Sequence, residues 1–211
     1  MRVVSVNVGL PSVHTWQRRF VRTGIFKGPV PGPVAVRKLN LDGDAQADLS
    51  VHGGPDKAVY AYPGDHYPAW QALLGRDLTL GAFGENLTTE GLVEDQVHIG
   101  DEFRIGTARL VVTQPRMPCY KLGLRFGDPG MVKSFARVGR PGIYFAVVEE
   151  GEVSPGDPIE RLAEGINRVT VTEMFALMLD KSPDPAAVRR LLEVPALAAD
   201  WRQGFEAWLP G

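Results

Sequence analysis

The chain has 211 residues, of which 44% are hydrophobic and 23% charged, and these values fit one moderate domain with a small appendage. Its 23 Lys and Arg residues nearly balance its 25 Asp and Glu residues, and the resulting net charge of −2 argues against a dedicated nucleic-acid-binding protein. The sequence shows no signal peptide, no apolar run long enough to span a membrane and only one cysteine, so we expect a cytoplasmic protein.

Short strands separated by turns are predicted before residue 165, where many of the 24 Gly and 17 Pro residues lie between short apolar runs. The segments with alternating or β-branched character are residues 2–8, 34–39, 97–99, 102–105, 108–113 and 143–149. Residues 58–62 fit a strand or the start of a helix, and residues 9–22 are ambiguous. Residues 63–74 and 131–138 have helical spacing, with Asp65 as a candidate cap of the first, and Glu150-Gly151 is predicted as a hairpin turn after residues 143–149. This spacing predicts a closed or nearly closed β-barrel.

The pattern changes near residue 165, after which three helices are predicted over residues 172–179, 184–192 and 195–208. Thr172 is the candidate N-cap of the first helix, and Asp184 followed by Pro185 begins the second. The chain therefore divides into a β domain, residues 1–164, and a three-helix module, residues 165–211. The module is too small to be stable alone, so we expect it to pack on the barrel or on a partner, and a homodimer is possible.

The segment Gln114-Pro-Arg-Met-Pro-Cys-Tyr-Lys-Leu122 follows a predicted strand and contains the single cysteine. Arg116 and Lys121 flank Cys119, and nearby cations favour the thiolate, which is a ligand for soft metals. A lone cysteine cannot form a zinc site, although it could complete the coordination of a cofactor that brings its own sulfur ligands. The alternative is that Cys119 is a buried small hydrophobic residue.

Two further segments carry candidate binding residues. The first consists of Asp44-Ala-Gln-Ala-Asp48 and then Val51-His-Gly-Gly-Pro-Asp-Lys-Ala-Val59. Its paired glycines permit unusual backbone angles, and His52 and Lys57 flank them as possible anion donors, with Asp56 between. In Phe83-Gly-Glu-Asn-Leu87, Glu85 and Asn86 could line a polar pocket. Each segment could equally be an ordinary turn.

The three segments, in this order, resemble the MOSC domain, and the tail from about Val169 to Trp208 resembles the three-helix "3-alpha" module of the YiiM-type branch. The resemblance implies a mainly β fold with α-helices, in which a barrel like that of pyruvate kinase precedes the three-helix module. It also implies an enzyme that binds the molybdenum cofactor and reduces N-hydroxylated compounds such as 6-N-hydroxylaminopurine, a detoxification reaction.

The resemblance also assigns roles to individual residues. Cys119 would be the catalytic residue and the ligand of molybdenum. The expected cofactor-binding residues are Arg116, Lys121, His52, Asp56, Lys57, Glu85 and Asn86. Because the chain shows no flavin, haem or iron–sulfur motif, we expect a separate reductase, such as a flavoprotein, to supply the electrons.

Three alternatives remain open at this stage. The chain could be a carrier of sulfur or of the molybdenum cofactor without reductase activity, with Cys119 holding persulfide sulfur. It could bind pyridoxal phosphate, which is disfavoured because neither Lys57 nor Lys121 has the expected context of a Schiff-base lysine. It could also be a binding module without chemistry, in which the three-helix tail recognises a partner.

Overall fold

A computed structural model describes residues 1–48 and 53–209 of the chain. The strands in these ranges are β1 (Arg2–Val8), β2 (Ser12–Trp16), β3 (Arg19–Thr23), β4 (Gly28–Val30), β5 (Val34–Val36), β6 (Val59–Pro63), β7 (Leu87–Glu90), β8 (Glu102–Ile105), β9 (Ala108–Pro115), β10 (Ile143–Glu149), β11 (Gly151–Val153) and β12 (Ile159–Ala163). The helices are α1 (Tyr67–Leu74), α2 (Tyr120–Phe126), α3 (Met131–Val138), α4 (Val171–Leu179), α5 (Pro185–Leu192) and α6 (Ala199–Glu206). No helix in the described ranges combines the length and apolar character needed to cross a membrane.

The main sheet closes on itself, as the spacing of the strands predicted. Its eight strands lie in the order β12-β8-β9-β10-β6-β7-β1-β4, and every pair is antiparallel except β6 and β7. The chain beside β12 also bonds to the start of β1, since the Val3 amide donates to Asp157 at 2.9 Å and the Ile159 amide donates to Met1 at 3.0 Å. The fold is therefore a barrel with β4 as an outer addition.

The local structure differs from the sequence prediction in several segments. The ambiguous residues 9–22 form a hairpin of β2 and β3, whose two-residue turn places Gln17 and Arg18 at positive φ. Residues 97–99 make one isolated bridge, between His98 and Thr170, and do not form a regular strand. Glu150 and Gly151 do not turn β10 back on itself, because β11 pairs with β5 instead.

One hydrophobic core joins the barrel to the three-helix module. Buried barrel residues such as Val97, Ile99 and Val112 lie in the same cluster as Met174 of α4 and Leu191 of α5. The tail therefore packs on the barrel, which was one of the two expected arrangements. The division at residue 165 stays a prediction, because no break in the core accompanies it.

A second, aromatic cluster lies between the barrel wall and helices α1 to α3. Phe83 is completely buried and stacks on Tyr62 with 4.3 Å between the ring centroids, and Trp70 stacks on Phe135 at 5.9 Å. The other members are Ile25, Tyr60, Tyr67, Ala82, Leu122, Phe126 and Met131. This cluster fixes the Phe83–Asn86 segment and α2, two of the segments that the sequence singled out.

The N-caps of two helices differ from the predicted ones. Thr170, not Thr172, caps α4, because its hydroxyl accepts from the Glu173 amide at 3.0 Å while the Glu173 carboxylate accepts from the Thr170 amide at 2.7 Å. This reciprocal pair is a capping box. Asp65, a candidate cap for α1, instead accepts from the Gly91 amide at 3.0 Å. Asp184 caps α5 as predicted.

Replacing Thr170 with Ala should lower the free energy of unfolding by about 1 kcal/mol, because the substitution removes the acceptor for the Glu173 amide. Thr172→Ala is the matched control, since it deletes the same atoms two residues further along, inside α4, and should change stability by less than about 0.5 kcal/mol. Urea denaturation of both variants measures the difference. Equal losses would show that the capping box does not stabilise α4.

Candidate functional site

Strand β9 and helix α2 place the cysteine segment at the mouth of a cavity. β9 is almost fully buried and ends at Pro115, after which Arg116 points inward and Cys119 immediately precedes α2. Cys119 has an extended backbone, with φ −128° and ψ 170°, and its side chain makes no capping bond to the helix. The thiol is partly exposed and lines the cavity, so it is accessible to a ligand there.

The cavity brings together residues from all three singled-out segments. Five of the expected residues line it: Lys57, Asn86, Arg116, Cys119 and Lys121. Five further lining residues belong to the singled-out segments: Ala45, Gln46, Ala47, Gly53 and Gly84. The sequence did not single out the other six, which are Thr23, Gly24, Ile25, Lys27, Tyr60 and Tyr144. The lining therefore contains four basic side chains, Lys27, Lys57, Arg116 and Lys121, and no carboxylate among the described residues.

Arg116 is the most constrained of these cations. Its guanidinium donates a hydrogen bond to the carbonyl oxygen of Phe83 and lies 5.0 Å from the centroid of the Tyr60 ring and 5.8 Å from that of Phe135. Burial opposes its charge, but Tyr60, Tyr144 and Cys119 hold the pKa of Arg116 above its usual value. Arg116 therefore keeps a fixed positive charge at the cavity wall.

Lys121 and Lys57 add two further charges, from α2 and from the turn before β6. Lys121 is only 8% exposed, and neither it nor Arg116 forms an ion pair with a described carboxylate. Lys57 pairs with Asp200 of α6 at 3.3 Å, but Asp200 is itself largely exposed, so the pair neutralises little of the charge. Buried cations without an anionic partner are costly, and a bound anion would relieve that cost.

A buried network that the sequence did not reveal forms the opposite wall. Lys27 makes an ion pair with Asp44, which also accepts from the Asn86 amide group at 2.9 Å and from the Gly9 amide at 3.0 Å. Burial lowers the pKa of Lys27, and the neighbouring Asp44 partly opposes the effect. Asn86 also accepts from the Tyr60 amide at 3.1 Å, so the network ties β6 to the segments that carry Gly9, Lys27 and Asp44.

Glu85 does not line the cavity, contrary to expectation. Its carboxylate is completely buried and accepts from the Tyr67 hydroxyl, from the Gly81 and Phe83 amides at 3.0 Å each, and from the Thr88 hydroxyl at 2.8 Å. Burial raises its pKa. Because all four partners are protein groups, Glu85 shapes the turn that presents Phe83 and Asn86 and is not free to hold a ligand.

Asp56 also lies outside the lining. Its carboxylate accepts from the Ala199 amide at the start of α6 at 2.9 Å, and its carbonyl accepts from the Thr113 hydroxyl at 2.6 Å. Asp56 therefore fixes the turn that carries Lys57. His52, the remaining expected residue, falls outside the residues that the structure describes.

The glycines of two segments are required by backbone geometry. Gly53 and Gly54 have φ values of 88° and 89°, which confirms the unusual backbone expected there. Gly84 has φ 75°, and a Cβ at this position would lie 2.7 Å from a side-chain carbon of Ile25. Gly84 thus allows the close contact that brings its segment to the cavity edge.

The donor set of this cavity fits an anionic cofactor that brings its own metal ligands better than it fits a free metal ion. In the described part of the chain, no three His, Cys, Asp or Glu side chains are arranged to hold a metal. One thiol beside several cations suits an anionic cofactor that carries most of its own metal ligands, because the protein need supply only one sulfur and the compensating positive charge. The two buried cations without carboxylate partners, Arg116 and Lys121, meet that requirement.

Comparisons with known proteins identify the family of the chain. Residues 48–160 match the family model of the MOSC domain, and residues 169–210 match that of the YiiM-like 3-alpha helix domain. The chain is 43% identical to YflK of Bacillus subtilis over 96% of this chain and 92% of that one. A crystal structure of YiiM from Geobacillus stearothermophilus covers 99% of both chains with a TM-score of 0.84 and 38% identity.

A third relative carries a functional name. A protein of Gibberella moniliformis called a reductase is 38% identical over 67% of this chain, although the match covers only 26% of the reductase. The two family models lie end to end along the barrel and the helical module, and the structural match extends over nearly the whole chain. The chain therefore belongs to the MOSC domain family, in the branch that carries a YiiM-like 3-alpha helix domain.

Proposed function

We propose that this chain binds the molybdenum cofactor through the Cys119 thiolate and reduces N-hydroxylated small molecules, with 6-N-hydroxylaminopurine as the first compound to test. MOSC domains are in general associated with this cofactor. One observation carries the proposal: the single cysteine of the chain opens into a cavity lined by four basic side chains. Electrons would come from a separate protein, such as a flavoprotein.

The charge of the cavity supports an anionic ligand because it contrasts with that of the whole chain. The chain carries a net charge of −2, yet the described lining has cations and no carboxylate. Such a concentration of one sign within low-dielectric walls raises the local potential and attracts ligands of the opposite sign. A pterin cofactor with a terminal phosphate has the required negative charge.

The residues around the thiol would have distinct tasks. Cys119 would bind the metal, Arg116 and Lys121 would neutralise the anionic groups of the cofactor, and Lys57 would close the side nearest the helical module. Burial raises the pKa values of Tyr60 and Tyr144, so both hydroxyls stay protonated. The Tyr60 hydroxyl donates to the Pro141 carbonyl at 2.8 Å, whereas the Tyr144 hydroxyl can donate a hydrogen bond into the cavity. When bound, the cofactor would supply the two-electron chemistry that side chains lack.

The named relative supports reduction as the reaction class. The protein called a reductase matches this chain over only 26% of its own length, so most of that protein lies outside the match. This chain, with one cysteine, cannot ligate an iron–sulfur cluster by itself. A reductase built on this chain would therefore receive electrons from another protein.

Molybdenum content should depend on Cys119. The wild type and Cys119→Ser, both expressed in a host that makes the cofactor, are compared by elemental mass spectrometry with Ser134→Ala as a control in α3. We expect near-stoichiometric metal in the wild type and the control and at least tenfold less in Cys119→Ser, because a hydroxyl is a poorer ligand for a soft metal. Equal metal in all three would contradict the role of the thiol.

The metal-loaded and metal-free proteins from this experiment also distinguish a reductase from a carrier of cofactor or sulfur. Metal-loaded wild type that reduces 6-N-hydroxylaminopurine with a chemical reductant would support the enzyme. Loaded protein without turnover on any N-hydroxylated compound would favour a cofactor carrier. Persulfide on Cys119 of metal-free protein would favour a sulfur carrier.

Replacing Arg116 with Met should weaken retention of the cofactor about 10- to 100-fold, because charge-assisted hydrogen bonds each contribute about 1.5–3 kcal/mol. Arg116→Lys should recover part of the loss, since it restores the charge but not the planar fork. Cofactor loss is followed by dialysis and fluorescence of the released pterin, and Arg104→Met on an exposed strand position is the control. Unchanged retention in Arg116→Met would refute a cofactor role for the buried guanidinium.

Turnover should require an electron donor other than a pyridine nucleotide. The loaded chain should reduce 6-N-hydroxylaminopurine with dithionite-reduced methyl viologen and show no measurable reduction with NADPH alone, because the sequence contains no flavin motif. Loss of the substrate absorbance measures both reactions. Turnover with NADPH alone in the purified chain would contradict the need for a separate donor.

A further inference from the structure

The β2–β3 hairpin has one face turned to the protein and one turned to solvent. On the inner face, His14 stacks on Phe26 with 3.9 Å between ring centroids, and the Trp16 ring lies beside Gly123 of α2. Facing residues of antiparallel strands point to the same side. The register therefore places four exposed residues together on the outer face, Val13, Thr15, Phe20 and Arg22.

The outer face carries large apolar groups, and unpaired positive charges lie on this face and at its edge. Phe20 is 84% exposed and Val13 is 62% exposed, and the two lie diagonally across the pair of strands. Arg22 lies on this face, Arg18 lies in the turn, and Arg19 lies opposite Trp16 at the end of the hairpin. All three are exposed and form no ion pair with the described residues. Aromatic and arginine side chains together are the residues that contribute most to protein–protein binding. Thus this face has the composition of a docking surface and not of an ordinary solvated hairpin.

The positive charge of the hairpin belongs to a strong asymmetry along the chain. Residues 1–41 contain seven Lys or Arg residues and no Asp or Glu. The other 170 residues contain 16 basic and 25 acidic residues, which gives them a net charge of −9. Of the seven, Arg2, Lys27 and Arg37 form ion pairs with acidic residues beyond residue 41, which leaves the three hairpin arginines and Lys38 without an ion pair among the described residues. The hairpin is thus a local cationic site, and charge complementarity selects an acidic partner.

The hairpin also adjoins the cavity. β3 ends at Thr23, which lines the cavity together with the next two residues, Gly24 and Ile25. Through Trp16, the inner face contacts α2, the helix that begins directly after Cys119. Tyr120, 55% exposed, adds a further apolar group beside the thiol. A protein docked on the hairpin would therefore lie close to the cavity.

We infer that the outer face of the β2–β3 hairpin is the docking surface for the electron donor, a redox protein with an acidic surface around its own redox group. The inference rests on the proposed function, which requires such a donor. The three arginines would steer the donor to the surface, and Phe20 with Val13 would be buried in the complex. Docking here would bring the donor's redox group to the edge of the cavity that contains Cys119.

A binding titration with an acidic flavodoxin as the probe tests this surface. The variant R18E/R19E/R22E reverses the three charges of the hairpin. The control R104E/K181E/R189E makes the same charge change at exposed positions that likewise have no ion pair with the described residues. We expect flavodoxin binding to weaken at least tenfold in the hairpin variant and less than twofold in the control. Wild-type binding should weaken as salt is raised from 20 to 200 mM.

Apolar contact is tested separately with Phe20→Ser, which should weaken flavodoxin binding without changing its salt dependence. Since Phe20 is exposed, thermal unfolding of this variant should match that of the wild type. Wild type that does not bind flavodoxin, or equal weakening in the two charge-reversed variants, would overturn the docking surface. Analytical sedimentation could also overturn the docking surface. If the wild type is a dimer and Phe20→Ser is a monomer, a second copy of the chain covers this face.

Turnover with dithionite-reduced methyl viologen distinguishes the two proposals, since this small donor needs no docking surface. Retained turnover in R18E/R19E/R22E together with lost flavodoxin binding would support both proposals. Flavodoxin binding that depends on the hairpin, without turnover by any loaded variant, would refute the reductase and leave the docking surface standing. Turnover without flavodoxin binding in the wild type would refute the docking surface alone.

Discussion

The buried positive charge of Arg116 is the constraint on which the site depends. An uncompensated guanidinium inside a protein carries a desolvation cost, and the described residues provide a carbonyl, two aromatic rings and no carboxylate to offset it. The surrounding fold is arranged around this charge: Phe83 supplies the carbonyl, and the Glu85 carboxylate holds the turn that aims it. The remaining positive charge of Arg116 faces the cavity, so an anion is the kind of ligand that would neutralise it.

Glu85 shows how a residue can be important to a site without touching the ligand. Two backbone amides and two hydroxyls converge on its carboxylate, so the turn from Gly81 to Thr88 has one well-defined shape. Asn86, the next residue, can then bond both to Asp44 and to the Tyr60 backbone. Sequence inspection grouped Glu85 and Asn86 as equals, since both are polar and adjacent, but only the second reaches the cavity.

The sequence predicted the barrel, the helical tail and five cavity residues because these features leave local signals. Alternation of apolar and polar residues indicates strands, and helical spacing of apolar residues indicates the tail. Arg116 and Lys121 lie within three residues of Cys119 in the sequence, so the same segment predicts all three. The β2–β3 hairpin was missed because its turn places Gln17 and Arg18 at positive φ, where Asn and Gly are the usual residues. The ion pair between Lys27 and Asp44 was missed for another reason: the two residues are 17 positions apart and meet only in the folded chain.

The three-helix module helps to position residues of the cavity through hydrogen bonds and an ion pair made by α6. The start of α6 bonds to the turn before β6, since the Ala199 amide donates to Asp56 and Asp200 pairs with Lys57. The neighbouring Ala198 amide donates to Thr113 near the end of β9, three residues before Arg116. A shift of α6 would therefore move Lys57 and the end of β9 together. Because the module shares its hydrophobic core with the barrel, its packing energy also stabilises these two edges of the cavity. This coupling gives a physical reason for the two domains to occur in one chain.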